Sequence, residues 1–495
     1  MKPFKNLVNK NNTYRNMRKI KSIRAKEYFS FYTIYLLLIF ITFTPIVTSL
    51  SIKRKYFSDY YMRSYGYQII IKINGTGTQN ITSTLYTLCP NYVIHNTVNI
   101  KGTDCNKVDI PDNGNEINTL KLIWTNANYF LAHIFENITN IVEVDLSTYD
   151  TSGVTDMRQM FWNCESLTSI NFQYINTRAV KDMRLMFSGC ISLDHLDVSR
   201  FDTSQVTDMH FMFSDCKLLI SLDVSGFRTQ NVEHFEGMFA GMEKLESINV
   251  KNFDTSKGIN MHGMFYECQS LTTLDVTNFN TASVIDMSLM FYNVWRITSL
   301  NLSNFDTTKV ENMKWMFAYC KNNKKLDLSN FRTPNLKSME YQFYENSRLN
   351  SLDISNFDTS QISSMECLFF GCNDVPFLNL SSFDTSNVYT MSNMFAHTDH
   401  LTSIEFSNFN TRSLKDCNFM FKYALGLTSL DLTHFDTSQV TDMHDMFFSC
   451  WNLKELKISN FDTRSVENLA EMFYGCSSLT SLDLSSFETP KVNNM

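Results

Sequence analysis

Phe201-Asp202-Thr203-Ser204-Gln205-Val206-Thr207-Asp208-Met209 is one copy of a phrase that returns every 26 residues without insertion or deletion. Its opening apolar slot falls at Tyr149, Ile175, Phe201, Phe227 and onward to Phe487, 14 copies in all. A fixed period of this length means stacked, near-identical units, none of which buries its apolar face alone. The chain therefore reads as a repeat solenoid over 149–495, with 13 full units and one truncated. Function has to be sought on its faces.

Within the unit 201–226, Leu219-x-x-Leu222-x-Val224 has the spacing of a short strand, with Leu222 and Val224 inward and Ser221, Asp223 and Ser225 outward. Stacked copies predict a parallel sheet with strands about 4.8 Å apart. Met209, Met212, Phe213 and Cys216 then recur at i, i+3, i+4 and i+7, which predicts a short helical turn. The slot before the first Met holds Asp, Asn, Ser or Thr in every copy but His234, so it reads as an N-cap. Thr203 and its equivalents are present in all 14 copies, and Thr125 matches them in the degenerate coil before. We read them as half-buried, the methyl packed and the hydroxyl closing a turn or bonding the next coil's backbone.

Residues 123–148 read as a degenerate capping repeat, because Ile134, Phe135 and Ile138 sit 26 positions before Met160, Phe161 and Cys164. Before it, 51–122 reads as a small β-rich N-terminal region with alternating stretches such as Tyr67 to Ile73. The chain stops at Met495 in mid-unit, from which a longer natural protein is expected.

The 26-residue phrase resembles the BspA-like leucine-rich-repeat surface proteins, whose copies read approximately F-D-T-S-x-V-T-D-M-x-x-M-F-x-x-C-x-x-L-x-x-L-D-L-S. Residues 201–224 and 435–458 match almost letter for letter, and the likeness covers 149–495. The resemblance implies a cell-surface or secreted, non-enzymatic protein tied to adhesion and matrix binding. Bacterial relatives are often lipoproteins with a Cys just after the signal peptide, whereas the first Cys here is Cys89.

The net charge of −7 hides an asymmetry: residues 1–55 hold 12 Lys or Arg and one acid, Glu27, leaving 31 basic and 49 acidic side chains elsewhere. An acidic body argues against a nucleic-acid partner, which needs a basic patch. From Tyr28 to Leu50 run 23 residues without a charge, long enough to span a bilayer. The basic arm 1–27 then stays in the cytoplasm and the repeats lie outside, as a single-pass surface protein. If the stretch is instead a signal peptide cleaved after Ser49, the protein is secreted. Asn74, Asn80 and Asn137 open glycosylation triplets, and Cys89 and Cys105, outside the array, form the pair expected to be a disulfide in an oxidising compartment.

The binding face is expected on the outer strand row, where Asp223 and Asp353 belong to an acidic ladder and His195, Lys325 and Phe377 break the Ser/Asp consensus. Trp295 and Trp451 occupy a slot that is otherwise mostly polar, and exposed aromatics on a regular scaffold are hot-spot candidates. As a cation-binding or basic-partner-binding surface the acids, spaced 26 apart, lack the clustered oxygens of a calcium loop, and they read rather as a solvated face bonding neighbours such as Ser221 and Ser351. Eight cysteines, Cys164 to Cys476, share one slot with Met242, Val294, Asn346, Thr398 and Ala424, the behaviour of a small core position of reduced thiols. No cofactor or metal is expected. The partner is expected to be a protein or glycan on another cell or matrix. The alternatives are a passive coat protein without a dedicated ligand, and an enzyme in 56–122, where His95, two Cys and a few acids are all the chemistry on offer.

Overall fold

The computed structural model describes residues 67–126 and 129–495. The apolar stretch Tyr28–Leu50 and the basic arm lie outside the described residues; among those described, no helix is long and apolar enough to cross a membrane.

The N-terminal region is antiparallel. Strands β1 (Gln68–Asn74), β3 (Tyr92–His95), β4 (Val98–Asn99), β6 (Ile117–Ile123), β7 (Ile141–Asp145) and β8 (Ser169–Asn171) form one sheet in the order β4-β3-β6-β1-β7-β8. Two more strands, β2 (Gly77–Asn80) and β5 (Lys107–Ile110), pair separately. β7 joins the two halves of the fold, running antiparallel to β1 and parallel to β8, so the degenerate coil is hydrogen-bonded on one side to the cap and on the other to the repeats. Alternation in β1 explains the seating, since Ile69, Ile71 and Ile73 are fully buried. A disulfide joins Cys89 and Cys105, whose Cα atoms are 5.1 Å apart.

From 149 onward the coils stack in register, as the period requires. Leu222 and Val224 are buried while Ser221 and Asp223 are exposed, and parallel pairs such as Leu326↔Leu352 and Leu430↔Leu456 link coil to coil. The strands are only two or three residues long and paired in twos, so the sheet is a broken ladder. A second parallel ladder runs through the slot read as an N-cap: Asp156, Asp182, Asp208, His234, Asn260, Asp286, Asn312 and Ser338 bridge in succession.

The predicted helical turn is not a helix. In 209–216 the amides of Met212, Ser214 and Cys216 close tight turns onto Met209, Phe211 and Phe213, while those of Phe211, Phe213 and Asp215 reach carbonyls of the next coil, Glu236, Met238 and Ala240. A helix would send every amide to i−4 of its own coil; here alternate amides leave it and knit the stack. Phe211 (φ 52°) and Asp215 (φ 57°) are left-handed, and the same two positions recur as Leu185 and Gly189, Trp315 and Tyr319, and Tyr341 and Glu345. Met209, Met212, Phe213 and Cys216 are fully buried either way, which is why their spacing could not separate the two structures. Asp208 accordingly caps a turn rather than a helix: its Oδ1 accepts the amide of His210 at 3.1 Å.

The buried Phe slot builds a column from Phe135 to Phe473, each ring stacked on the next, as in Phe187 on Phe213 at 5.6 Å and Phe213 on Phe239 at 5.9 Å. Offset aromatic pairs at this spacing add about 0.5–1.5 kcal/mol each beyond area burial. From Thr151 to Thr463 the Thr slot is buried, not half-buried, and only the last copy, Thr489, is exposed. Thr203 Oγ1 donates to the carbonyl of Arg228 at 3.0 Å and accepts its amide at 2.7 Å, thus pairing both backbone groups of one residue in the next coil. Thr177, Thr307 and Thr437 repeat this. Thr125 differs: it is exposed and bonds Asn91.

Candidate functional site

The sheet face carries the expected acidic row, but its carboxylates are used locally. Asp223 Oδ1 accepts both the amide and the hydroxyl of Ser225, and Asp353 does the same with Ser355. Their partners are the residues two positions on, not Ser221 and Ser351. The Ser225 hydroxyl, and then its amide, hold the Asp223 carboxyl below the usual range. Lys325 lies 3.7 Å from Asp327, and Lys457 lies within 3.4 Å of Asp431, so the lysine exceptions act as counter-ions to the row. His195 is exposed beside Asp197, whose carboxyl is held low by the Ser199 hydroxyl first and by His195 only weakly.

Phe377, Trp295 and Trp451 are all exposed, at 49%, 42% and 51%. They do not form one patch. Phe377 stands on the strand row beside Ser403, while the tryptophans share a slot six coils apart. Trp451 touches the ring of Tyr423; neither Phe377 nor Trp295 meets another aromatic ring among the described residues. Asn74, Asn80 and Asn137 are exposed, and Asn137 accepts a hydrogen bond from Asn163.

A larger aromatic feature lies on the turn side. Tyr266, Tyr292, Tyr319, Tyr344, Phe370, His397, Tyr423, Phe448 and Tyr474 form an unbroken run of ring contacts through nine consecutive coils. Tyr266 stacks on Tyr292 at 4.9 Å and Tyr344 on Phe370 at 4.6 Å; Trp315, stacked on Tyr341 at 4.0 Å, widens the run. Eight of the nine are half-buried and Tyr474 is exposed, so the ladder is a surface feature. It arises because the turn brings the two residues after the buried Phe to the same side of every coil, and coils from 253 onward place an aromatic there where the three before hold the small, buried Ser188, Ser214 and Ala240. A helix assignment hid this row; an aromatic recurring one or two residues after each buried Phe was the available signal.

At the start of the ladder is an open groove of about 370 Å³, lined among others by Phe211, His262, Tyr266, Leu289, Tyr292 and Trp315. Ala240 and Gly263 line it where most other coils carry bulkier side chains, and Gly237 lets the ring of Phe211 lie across its backbone at one end. The ring of Phe211 fills the place of a Gly237 side chain, whose Cβ would fall 2.1 Å from it. Burial, and then Glu267, push the Tyr266 phenol up to about 12.

The slot cysteines are free and, except for the half-buried Cys476, fully enclosed. Each Sγ donates to the carbonyl of a phenylalanine in the coil before, Cys216 to Phe187 at 3.3 Å and Cys372 to Phe343 at 3.2 Å. Asn346 makes the same bond through Nδ2 to Phe317. Burial raises the thiol pKa, at Cys268 and Cys320 to about 12. Among the described residues no group of three or more His, Cys, Asp or Glu is placed to hold a metal ion.

Among solved structures the chain is similar to the functional domain of InlJ from Listeria monocytogenes, which "includes a cysteine ladder", at 16% identity over 76% of this chain and 69% of that one, with a TM-score of 0.31. It is also similar to a chain of the Toll–Spatzle complex of Drosophila, at 14% identity over 64% of this chain and 42% of that one, with a TM-score of 0.25. No curated protein matches. The model of the family described as "Mycoplasma protein of unknown function, DUF285" matches residues 129–247, 219–326, 286–377, 337–430 and 425–495. These overlapping matches run without a gap from 129 to 495, and the chain belongs to that family.

Proposed function

We propose that this chain is a non-enzymatic cell-surface repeat protein that binds a protein or glycan on another cell or matrix through its solenoid. The observation that carries this reading is the nine-coil ladder of half-exposed aromatics: rings with no need of further burial for the stack's sake, held on a rigid scaffold, are what a binding surface uses. The likeness of the repeats to BspA-like surface proteins supports the location, with Tyr28–Leu50 as the membrane anchor or a cleaved leader. Phe377, Trp295 and Trp451 remain contact candidates outside the ladder, with Trp451 at its margin.

The test is adhesion to cells by the purified chain and by a version lacking 357–434, three whole coils that contain Phe370, His397 and Tyr423 as well as Phe377. Contacts spread over many coils predict a graded loss, with the rest of the stack still folded. Adhesion that survives this deletion but vanishes on changes within 67–122 would move the site to the cap. Changing Phe377, Trp295 and Trp451 together to Ser separates the sheet-side contribution. Protease applied to intact cells should remove the repeats and spare an N-terminal tag.

A further inference from the structure

The ladder already shows what it accepts. Lys422 Nζ lies 4.4 Å from the ring centre of Phe448, 4.7 Å from Phe419 and 5.8 Å from Tyr423, and pairs with Asp445 at 2.7 Å. Lys321 sits 5.2 Å from the ring centre of Tyr319 with Glu345 at 3.5 Å, and Lys314 lies 5.9 Å from that of Tyr341. Two of the chain's own ammonium groups thus lie over ladder rings, each held by a carboxylate from the next coil, and a third lies over Tyr341 beside them. An aromatic face attracts a cation through its quadrupole, and a nearby carboxylate adds to it.

The groove at the start of the ladder has the same two components without the cation. Tyr266, Tyr292 and Trp315 line it, yet among the described residues no Lys or Arg lies over any of these three rings. The nearby charge is negative. Tyr266 feels both Glu267 and Asp215, and Glu236, in the coil between Phe211 and His262, is paired through Oε1 with His234 at 2.9 Å while its Oε2 is buried without a partner. The nearby lysine, Lys217, is engaged by Glu243 at 2.8 Å, and His262 Nδ1 by the Ser288 hydroxyl at 2.7 Å. We infer that this groove, bounded by Phe211 and Trp315, is a docking site for the Arg or Lys side chains of a basic protein segment, which take the place over its rings that Lys422 takes further along the ladder. The inference rests on the binding function proposed above and names its partner as a cationic polypeptide rather than a glycan.

The test uses the full chain in detergent and a fluorescein-labelled peptide of alternating Arg and Gly, read by anisotropy, with the citrulline version as a neutral twin of the same shape. The Arg peptide should bind and the citrulline peptide should not. Trp315→Leu, which keeps apolar bulk and removes the ring, and Glu267→Gln should each weaken binding by about tenfold. Asp483→Asn, an exposed acid near the end of the sheet row, should leave it within about twofold, since an exposed charge outside the groove contributes little. An equal loss on Asp483→Asn would reduce the effect to general attraction by an acidic body. Unchanged binding in both groove variants, or tighter binding of a neutral oligosaccharide such as cellohexaose lost on Trp315→Leu, overturns the assignment. A chain that adheres to cells through its other coils but ignores the Arg peptide overturns this inference alone and leaves the proposed function standing.

Discussion

Thr203→Val should be among the most damaging conservative substitutions in the array, although it changes no volume and removes no apolar contact. Thr203 is fully buried, and its hydroxyl is both donor to the carbonyl and acceptor from the amide of Arg228 in the next coil. Valine fits the same space and leaves both backbone groups without a partner at a part-buried junction. A buried polar group stripped of its partner costs about 1–3 kcal/mol, so the pair amounts to about 2–6 kcal/mol. Thr203→Ser keeps the hydroxyl and loses one methyl, for about 1 kcal/mol. Urea unfolding followed by circular dichroism should therefore rank wild type, then Ser, then Val, and hydrogen exchange at the Arg228 amide should accelerate only in the Val variant. Thr489→Val, at an exposed copy of the slot, should change little. If Val proves as stable as Ser, the hydroxyl is not holding the coils together.

Gly189→Ala should cost more than about 2 kcal/mol, because φ is +77° and the new Cβ would fall 2.2 Å from Asn163 Oδ1, while Gly226→Ala, with open space around it, should be nearly neutral; thermal melting distinguishes them. Asp182→Asn should raise the melting temperature at pH 7. Burial first, then repulsion from Asp156 and Asp208, raise the Asp182 carboxyl above its ordinary value against the pull of Arg184. A raised folded pKa means that the ionised form is disfavoured in the fold, so the wild type regains stability as pH falls through that value and the advantage of Asn should fade by about pH 3. Asn already fills this slot at Asn260 and Asn312 and gives the same backbone bond. With iodoacetamide at pH 8, Cys476 should alkylate first among the slot cysteines and Cys216 only on unfolding, since Cys476 alone is part-exposed and burial keeps the enclosed thiols protonated. Rapid labelling of Cys216 in the folded chain would contradict the packing.

How much of this was legible in the sequence divides by physical cause. The period and the inward set were, because a stack without insertions must put Leu222 over Ile248 and Phe213 over Phe239 in every coil. The hydrogen-bonded direction of the chain was not. Met209, Met212, Phe213 and Cys216 satisfy helical spacing, and burial is the same in a helix and in a turn pair. The discriminating signal lay in polar positions: the two left-handed slots hold Gly189, Gly237, Gly241, Gly263, Gly371 and Gly475, with Asn163, Asp215, Asn293 and Asn393 among the rest. These are the residue types that accept positive φ, and glycine weakens a helix interior by about 1 kcal/mol.

The turn moves the candidate site as well. In a helix the first and second residues after each buried Phe would lie about 100° apart round the axis, whereas the turn brings both to one side, where nine consecutive coils place their rings in contact. The sheet side, where contacts were expected, spends its charges on itself: Asp223 and Asp353 on the hydroxyls two residues along, Lys325 and Lys457 on the acids of the row. The turn side retains aromatic area and, around the groove, carboxylates in excess of their cations. In a solenoid whose backbone bonds and buried side chains are the same in every coil, the departures from the repeat distinguish one stretch of surface from another. Here those departures are the glycines that open the groove and the rings that follow it.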